Sequence, residues 1–179
     1  MSKTNALKVA VLVVVLGGAT YLALRQRQPR PLAIGDRAPD FALPALPSGS
    51  LDLGQFRQQV VVLNFWATWC QPCVEEAPSL ETFAEIVRPE GVAVVGVSVD
   101  EDRAALEKFM GQYHITYVVG LDPDRTLAAR FVTFQFPETY ILDRRGRVAE
   151  KLIGAIDWTD PRLRSFVQEL AHGSGGPAR

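Results

Sequence analysis

The chain has 179 residues and a formal net charge of −1, with 19 Lys and Arg set against 20 Asp and Glu. That length accommodates one domain of ordinary size plus extensions. Charges of both signs are mixed along it without a basic stripe or a fixed-period repeat, which argues against nucleic acid as a partner.

Residues 1–8 read as a short N-terminus carrying Lys3 and Lys8, expected on the cytoplasmic side. From Val9 to Leu24 the chain is apolar or small throughout, apart from Thr20 and Tyr21. As a helix this run spans about 24 Å at ~1.5 Å per residue, slightly short of the roughly 30 Å hydrocarbon core. Ala6 and Leu7, with Lys8 snorkelling, bring it close enough to cross. A cleaved signal peptide with its site at Gly17-x-Ala19 competes, but cleavage there would leave a polar-capped stub from Thr20 of no obvious use. An uncleaved transmembrane anchor over 9–24 is therefore expected. No cysteine directly follows the run, which excludes a bacterial lipoprotein. Lys3 and Lys8 stand on one side and Arg25, Arg27 and Arg30 on the other, so the positive-inside count leaves orientation open. Residues 25–34, with Pro29 and Pro31, read as a stiff polar linker.

The folded domain is expected over 35–171. Phe41-Ala42-Leu43 and Ser50-Leu51-Asp52-Leu53 alternate around Pro47-Ser48-Gly49, a hairpin pattern. Val60 to Phe65 is a continuous apolar run rich in β-branched residues and predicts a buried strand. A helix over about 71–88 carries Leu80, Phe83, Ala84 and Val87 at helical spacing, and Pro78 should kink it rather than end it. A second buried strand, Val92 to Val99, leads to an amphipathic helix from Glu101 to Tyr113 with Leu106, Phe109 and Met110. Next come a short strand, Val118 to Leu121, and a helix from Asp124 to about Phe131. Thr139 to Leu142 is a strand, Arg144-Arg145-Gly146 a tight turn, and Val148 to Ile153 its antiparallel partner. The last helix runs from Pro161 to Ala171, and 172–179 reads as a flexible tail. Alternating strand and helix, closed by a hairpin and a final helix, predicts an α/β sandwich.

Between the first core strand and its helix stands Trp66-Ala67-Thr68-Trp69-Cys70-Gln71-Pro72-Cys73. Proline suits a first helical turn, where its missing N–H costs nothing. Cys70 then sits at the helix N-terminus, where free N–H groups and the macrodipole favour thiolate over thiol. Cys73 lies one turn deeper on the same face, close enough to close a small disulfide loop. This is the arrangement of a redox pair, with a reactive outer sulfur and a resolving inner one. A structural zinc site takes four ligands, and neither His114 nor His172 has a spacing that suggests a ligand. A purely structural disulfide over so short a loop would stabilise little.

The run from Phe65 to Cys73, with Glu76 and Pro78 following, resembles the membrane-anchored thioredoxin-like proteins of the TlpA/ResA/CcmG (DsbE) family. Pro39-Asp40-Phe41, Val97-Ser98-Val99-Asp100 and Pro137-Glu138-Thr139-Tyr140-Ile141-Leu142-Asp143 extend the match over residues ~35–171, a single-domain length. The resemblance implies a thioredoxin-like three-layer sandwich with an N-terminal β-hairpin extension, preceded by one transmembrane helix. It implies a thiol–disulfide oxidoreductase, a monomer with no bound cofactor beyond the Cys70–Cys73 disulfide. The domain would stand on the periplasmic side of the cytoplasmic membrane. Its substrates would be exported proteins with a cysteine pair awaiting metal or haem: apocytochrome c or a copper-site protein. Electrons would come from a membrane dithiol donor of the CcdA/DsbD kind.

Residue by residue, Cys70 is the expected nucleophile and Cys73 the buried resolving thiol, which needs a proton acceptor. Thioredoxins commonly keep a buried aspartate at the position of Asn64, and Asn cannot take a proton. Glu76, three residues after Cys73 and matching an acid typical of the ResA/CcmG group, is the expected replacement. The plainer role for Glu75 and Glu76, complementing the helix N-terminus, is kept for Glu75. Pro137 aligns with the cis-proline loop of thioredoxin folds, where a cis bond would let backbone at Phe136 pair with an extended peptide. Close CcmG relatives place a small residue and glycine before this proline; Gln135-Phe136 depart from that. Trp69 is expected as an exposed aromatic rim and Trp66 as packing.

Two other activities fit the cysteines. A peroxidase of the peroxiredoxin relatives shares the Pro-Asp-Phe start, yet that family's peroxide pocket uses a Pro and Thr upstream of one cysteine, and Trp66-Ala67-Thr68-Trp69 stand here. A Cu(I) metallochaperone would use the two soft thiolates, but no Met or His cluster accompanies them.

Overall fold

The computed structural model describes residues 8, 12–21 and 30–173, and the chain divides into two compact units, residues 1–30 and 31–179. In the first, residues 12–21 are helical. No helix among the described residues is long and apolar enough to cross a membrane. They therefore do not support the transmembrane helix expected over 9–24, whose ends at 9–11 and 22–24 lie outside them. So do 25–29 of the linker and 174–179 of the tail.

The second unit is built on β3, Val60–Trp66, all seven residues of which are buried. Burial on both faces explains why the run is apolar throughout instead of alternating. Parallel β4, Val92–Ser98, lies on one side of it and antiparallel β6, Glu138–Leu142, on the other. The seven-stranded sheet runs β2-β1-β5-β4-β3-β6-β7, with β1 Ala42–Leu46, β2 Ser50–Asp52, β5 Val118–Leu121 and β7 Val148–Ile153. The predicted hairpin is β1–β2. Gly49 closes its loop at φ +89°, a conformation that glycine adopts without strain, and the Leu46–Pro47 bond is cis.

Among the described residues of this unit, four helices cover the sheet: α1 Gln71–Val87, α2 Arg103–Gln112, α3 Thr126–Phe131 and α4 Pro161–His172. Successive side chains of a strand point to opposite faces, and β3 shows how the layers divide. Asn64 meets Glu76 of α1 and Trp66 packs on Phe109 of α2, while Phe65 between them packs on Phe131 of α3. Trp158, just before α4, stacks on Phe83 of α1. The result is the thioredoxin-like α/β sandwich.

Several boundaries move for local reasons. Helix α2 starts two residues later than Glu101 because the Asp102 carboxylate accepts the amides of Ala104 and Ala105 as its cap. Strand β6 takes in Glu138, and α4 takes in His172. Helix α1 runs on past Pro78 and ends at Val87, where a short 3-10 turn, Arg88–Glu90, follows.

Candidate active site

The cysteines stand where β3 leaves the sheet. The Trp66 carbonyl accepts the Val99 amide, and the loop beyond is held by Asp100. Its carboxylate accepts the Thr68 amide at 3.0 Å, the Thr68 hydroxyl at 2.6 Å and the Ser98 hydroxyl at 2.7 Å. The parallel register that pairs Val60 with Val92 and Trp66 with Ser98 carries Asp100 opposite Thr68 when extended two residues. Cys70 caps α1, its sulfur accepting the Cys73 amide at 3.3 Å, and Pro72 stands in the first turn. The two cysteines are joined as a disulfide with Cα atoms 5.2 Å apart. Both are buried, Cys70 at 7% exposure slightly more open than Cys73 at 3%.

Glu76, one turn beyond Cys73, is 3% exposed. Its Oε1 accepts the Asn64 carboxamide at 3.0 Å and its Oε2 the Ile156 amide at 2.8 Å. The Trp158 indole N–H also bears on the carboxylate, though without a hydrogen bond of ordinary geometry. Burial raises the Glu76 pKa, and these donors only partly offset it. Asn64 also donates to the Thr139 hydroxyl at 2.9 Å across the β3–β6 ladder. Tyr117 is buried nearby. Burial first, then the Glu81 and Glu76 carboxylates, pushes its phenol up, so it stays neutral.

Trp69 is 59% exposed, as a rim residue should be, with its ring edge-on to Phe136 at 6.0 Å and the Arg125 guanidinium 5.7 Å from its centroid. The Phe136–Pro137 bond is cis. The antiparallel register that pairs Phe65 with Glu138 brings Pro137 level with Trp66, so Trp69, Phe136 and Pro137 share the cysteine end of the sheet. Trp66 itself is buried, as expected for packing. Glu75 points elsewhere and accepts from Gln71.

Three acidic residues went unassigned in the sequence. Asp100 holds the pre-cysteine loop. Glu81, buried in α1, accepts the amide and hydroxyl of Thr116 and so ties the redox helix to the start of β5. Glu138 is buried beside Pro137 and meets Lys151 at 2.8 Å, with Tyr140 and Thr133 donating to the same oxygen. The Tyr140 hydroxyl also reaches the Phe131 carbonyl, fastening the end of α3 to the proline loop. Asp100 stands in the Val97-Ser98-Val99-Asp100 stretch that carries the resemblance, but its partner Thr68 follows only from the β3–β4 offset. Among the described residues no group of three or more His, Cys, Asp or Glu could hold a metal ion. His114 follows α2 at φ +53° and His172 ends α4.

A family model described as AhpC/TSA family matches residues 34–151. The chain is similar to the thiol-disulfide oxidoreductase ResA of Bacillus subtilis (strain 168), 30% identical over 91% of this chain and 89% of that one. To a ResA of Bacillus cereus it is 28% identical, over 95% of this chain and 99% of that one. Among solved structures it resembles a thiol:disulfide interchange protein assigned as DsbE from Chlorobium tepidum. The TM-score is 0.70 at 31% identity, covering 78% of this chain and 97% of that one.

Proposed function

The chain belongs to the AhpC/TSA family and is a thiol–disulfide oxidoreductase of the ResA and DsbE type, and we propose that it is a membrane-anchored reductant of cysteine pairs in exported proteins. Residues 9–24 anchor it in the cytoplasmic membrane, with the domain on the extracytoplasmic side. Its substrates are apocytochrome c or a copper-site protein, and a membrane dithiol donor of the CcdA/DsbD kind re-reduces it. The observation that carries the reading is a cysteine pair at a helix N-terminus with a buried carboxyl one turn further in.

In the reduced protein the Cys70 thiolate, favoured by the α1 N-terminus, attacks one sulfur of a substrate disulfide. That S–S bond breaks and the first substrate thiolate leaves with the electron pair. Cys73 passes its proton to Glu76 and attacks the Cys70 sulfur. The mixed disulfide breaks, the second substrate thiolate leaves, and the Cys70–Cys73 disulfide remains. Two electrons have passed to the substrate, and the donor dithiol restores them. Trp69, Phe136 and Pro137 present the surface against which the substrate segment lies.

Cys73→Ser should trap a mixed disulfide on Cys70, visible by mass as a stable adduct with a disulfide-bearing peptide, and Cys70→Ser should trap none. A reduction potential of the full chain near that of thioredoxin, about −270 mV, supports a reductant. One near −120 mV would make it a disulfide donor and overturn the proposed direction. Peroxide-dependent thiol oxidation at comparable rates would favour the peroxidase instead.

A further inference from the structure

Glu76 presents a hydrogen-bonding problem that its position alone does not solve. The Ile156 amide on Oε2 and the Trp158 indole, buried and otherwise unpartnered, are groups that can only donate. Such a shell suits a carboxylate. Burial favours the acid, and a proton acceptor must pass through both forms. An acid O–H on Oε1 needs an acceptor, and of the groups bonded to Glu76 only Asn64 can become one.

We propose that the Asn64 carboxamide, backed by the Thr139 hydroxyl, is a two-position switch that follows the protonation of Glu76. When Glu76 is ionised, the two Nδ2 hydrogens of Asn64 go to Glu76 Oε1 and to Thr139 Oγ1, at 3.0 and 2.9 Å. When Glu76 takes a proton on Oε1, the amide turns over. Its Oδ1 then accepts from the Glu76 O–H and from the Thr139 O–H, using both lone pairs. The two ends of a carboxamide are nearly the same size, so the turn leaves the packed volume unchanged where Asn64 and Thr139 are 2% and 1% exposed; its cost is the two N–H groups turned to where Oδ1 stood. Ile156 donates to Oε2 in both positions. Thr139 must carry a hydroxyl because only a group that can both accept and donate matches each position. Leucine at 64 would serve neither form, and aspartate would compete for the proton.

The switch rests on the reading that Glu76 takes the Cys73 proton. The ionisable groups around Glu76 are Cys73 and Glu81 on its own helix and Tyr117 from the segment before β5, the last held neutral by burial. Asp157, next to Ile156, is exposed and bonded to Thr159. Strands β3 and β6 contribute only Asn64 and Thr139. Asn64 is thus a positioning residue, acting on the cysteines through Glu76.

The test is NMR of the reduced full chain in detergent micelles, following the Glu76 carboxyl carbon and the Asn64 side-chain amide across pH. Single-turnover release of a substrate thiol is measured in parallel. The Asn64 amide protons should lose their proximity to Thr139 with the same midpoint as the Glu76 carboxyl, and in Glu76→Gln that change should vanish. Thr139→Val should move the acid limb of thiol release to higher pH, because it strands an N–H in the donating position and only a spare lone pair in the accepting one. Asn64→Leu should move it further and slow release about tenfold or more at neutral pH. A purely packing role would lower the rate evenly at every pH. If Glu76 titrates while the Asn64 amide keeps one orientation, the switch is overturned and the role of Glu76 stands. If Glu76→Gln leaves the pH profile of thiol release unchanged, both fall together.

Discussion

Asp100→Ala should loosen the approach to Cys70 without touching either sulfur. The substitution removes the acceptor for three hydrogen bonds. The Ser98 hydroxyl is fully buried and loses its acceptor outright, at a cost of about 1–3 kcal/mol. The amide and hydroxyl of half-buried Thr68 can turn to water, at about 0.5–1 kcal/mol each. Together these give about 3 kcal/mol, or roughly 6–12 °C in Tm for a unit of this size. Asp100→Asn keeps an oxygen for Thr68 and can donate to Ser98, so its cost should be about 1 kcal/mol. Guanidinium unfolding of the oxidised protein, followed by circular dichroism and tryptophan fluorescence, measures both. Amide exchange at Thr68 should accelerate in the alanine variant. Asp100→Ala within about 0.5 kcal/mol of the parent, less than one ordinary hydrogen bond, or equal to Asp100→Asn, would refute the clamp.

Because burial raises the Glu76 pKa, the folded protein binds this proton more tightly than the unfolded chain. The stability it contributes is present below the ordinary carboxyl value of 4.5 and is lost as pH rises through the raised folded value. Unfolding free energies should show Glu76→Gln gaining on the parent through that window and then levelling off; a flat difference would contradict the burial argument. Gly96 pairs with Asn64 in the sheet, and a Cβ there would stand 2.8 Å from the Trp66 indole nitrogen and 3.0 Å from the Tyr117 ring. Gly96→Ala should therefore cost about 1–3 kcal/mol by overpacking, read as a lower denaturation midpoint with an unchanged slope. Lys151→Met leaves Glu138 buried with only the Tyr140 and Thr133 hydroxyls as donors, and should cost about 2–3 kcal/mol. Pairing it with Glu138→Gln should recover part of that loss in the same assay.

Val60 to Phe65 was legible as a buried strand because both its faces demand apolar side chains, and Cys70-Gln71-Pro72-Cys73 because proline and a capping sulfur announce a helix start. Trp69 is exposed and Trp66 buried. The sequence pattern starts β6 at Thr139, one residue after Glu138, because a charged residue reads as an end. Only the tertiary contact with Lys151 makes its burial tolerable, and no local pattern encodes that contact. Asn64 stood out as a departure from aspartate, but its tie to Thr139 depends on the β3–β6 register, set by residues 75 apart. Asp100 was hidden for the same reason. Periodicity reveals which residues are buried; it does not reveal which strands become neighbours.

The sheet also dictates an order of events as the chain folds. Strand β1 pairs locally with β2 but joins the main sheet only through β5, 73 residues on at the Leu46–Val119 pair, and β3 is paired on both sides only once β6 exists. Loops of this length are costly to close before their contacts reward them, so the centre of the sheet assembles late. Through that interval Cys70 and Cys73 belong to an open chain and are accessible to any oxidant present. Being three residues apart and the sole cysteines in the sequence, they have no other partner within the chain. An early disulfide between them is therefore already the native one, with no wrong pairing to correct.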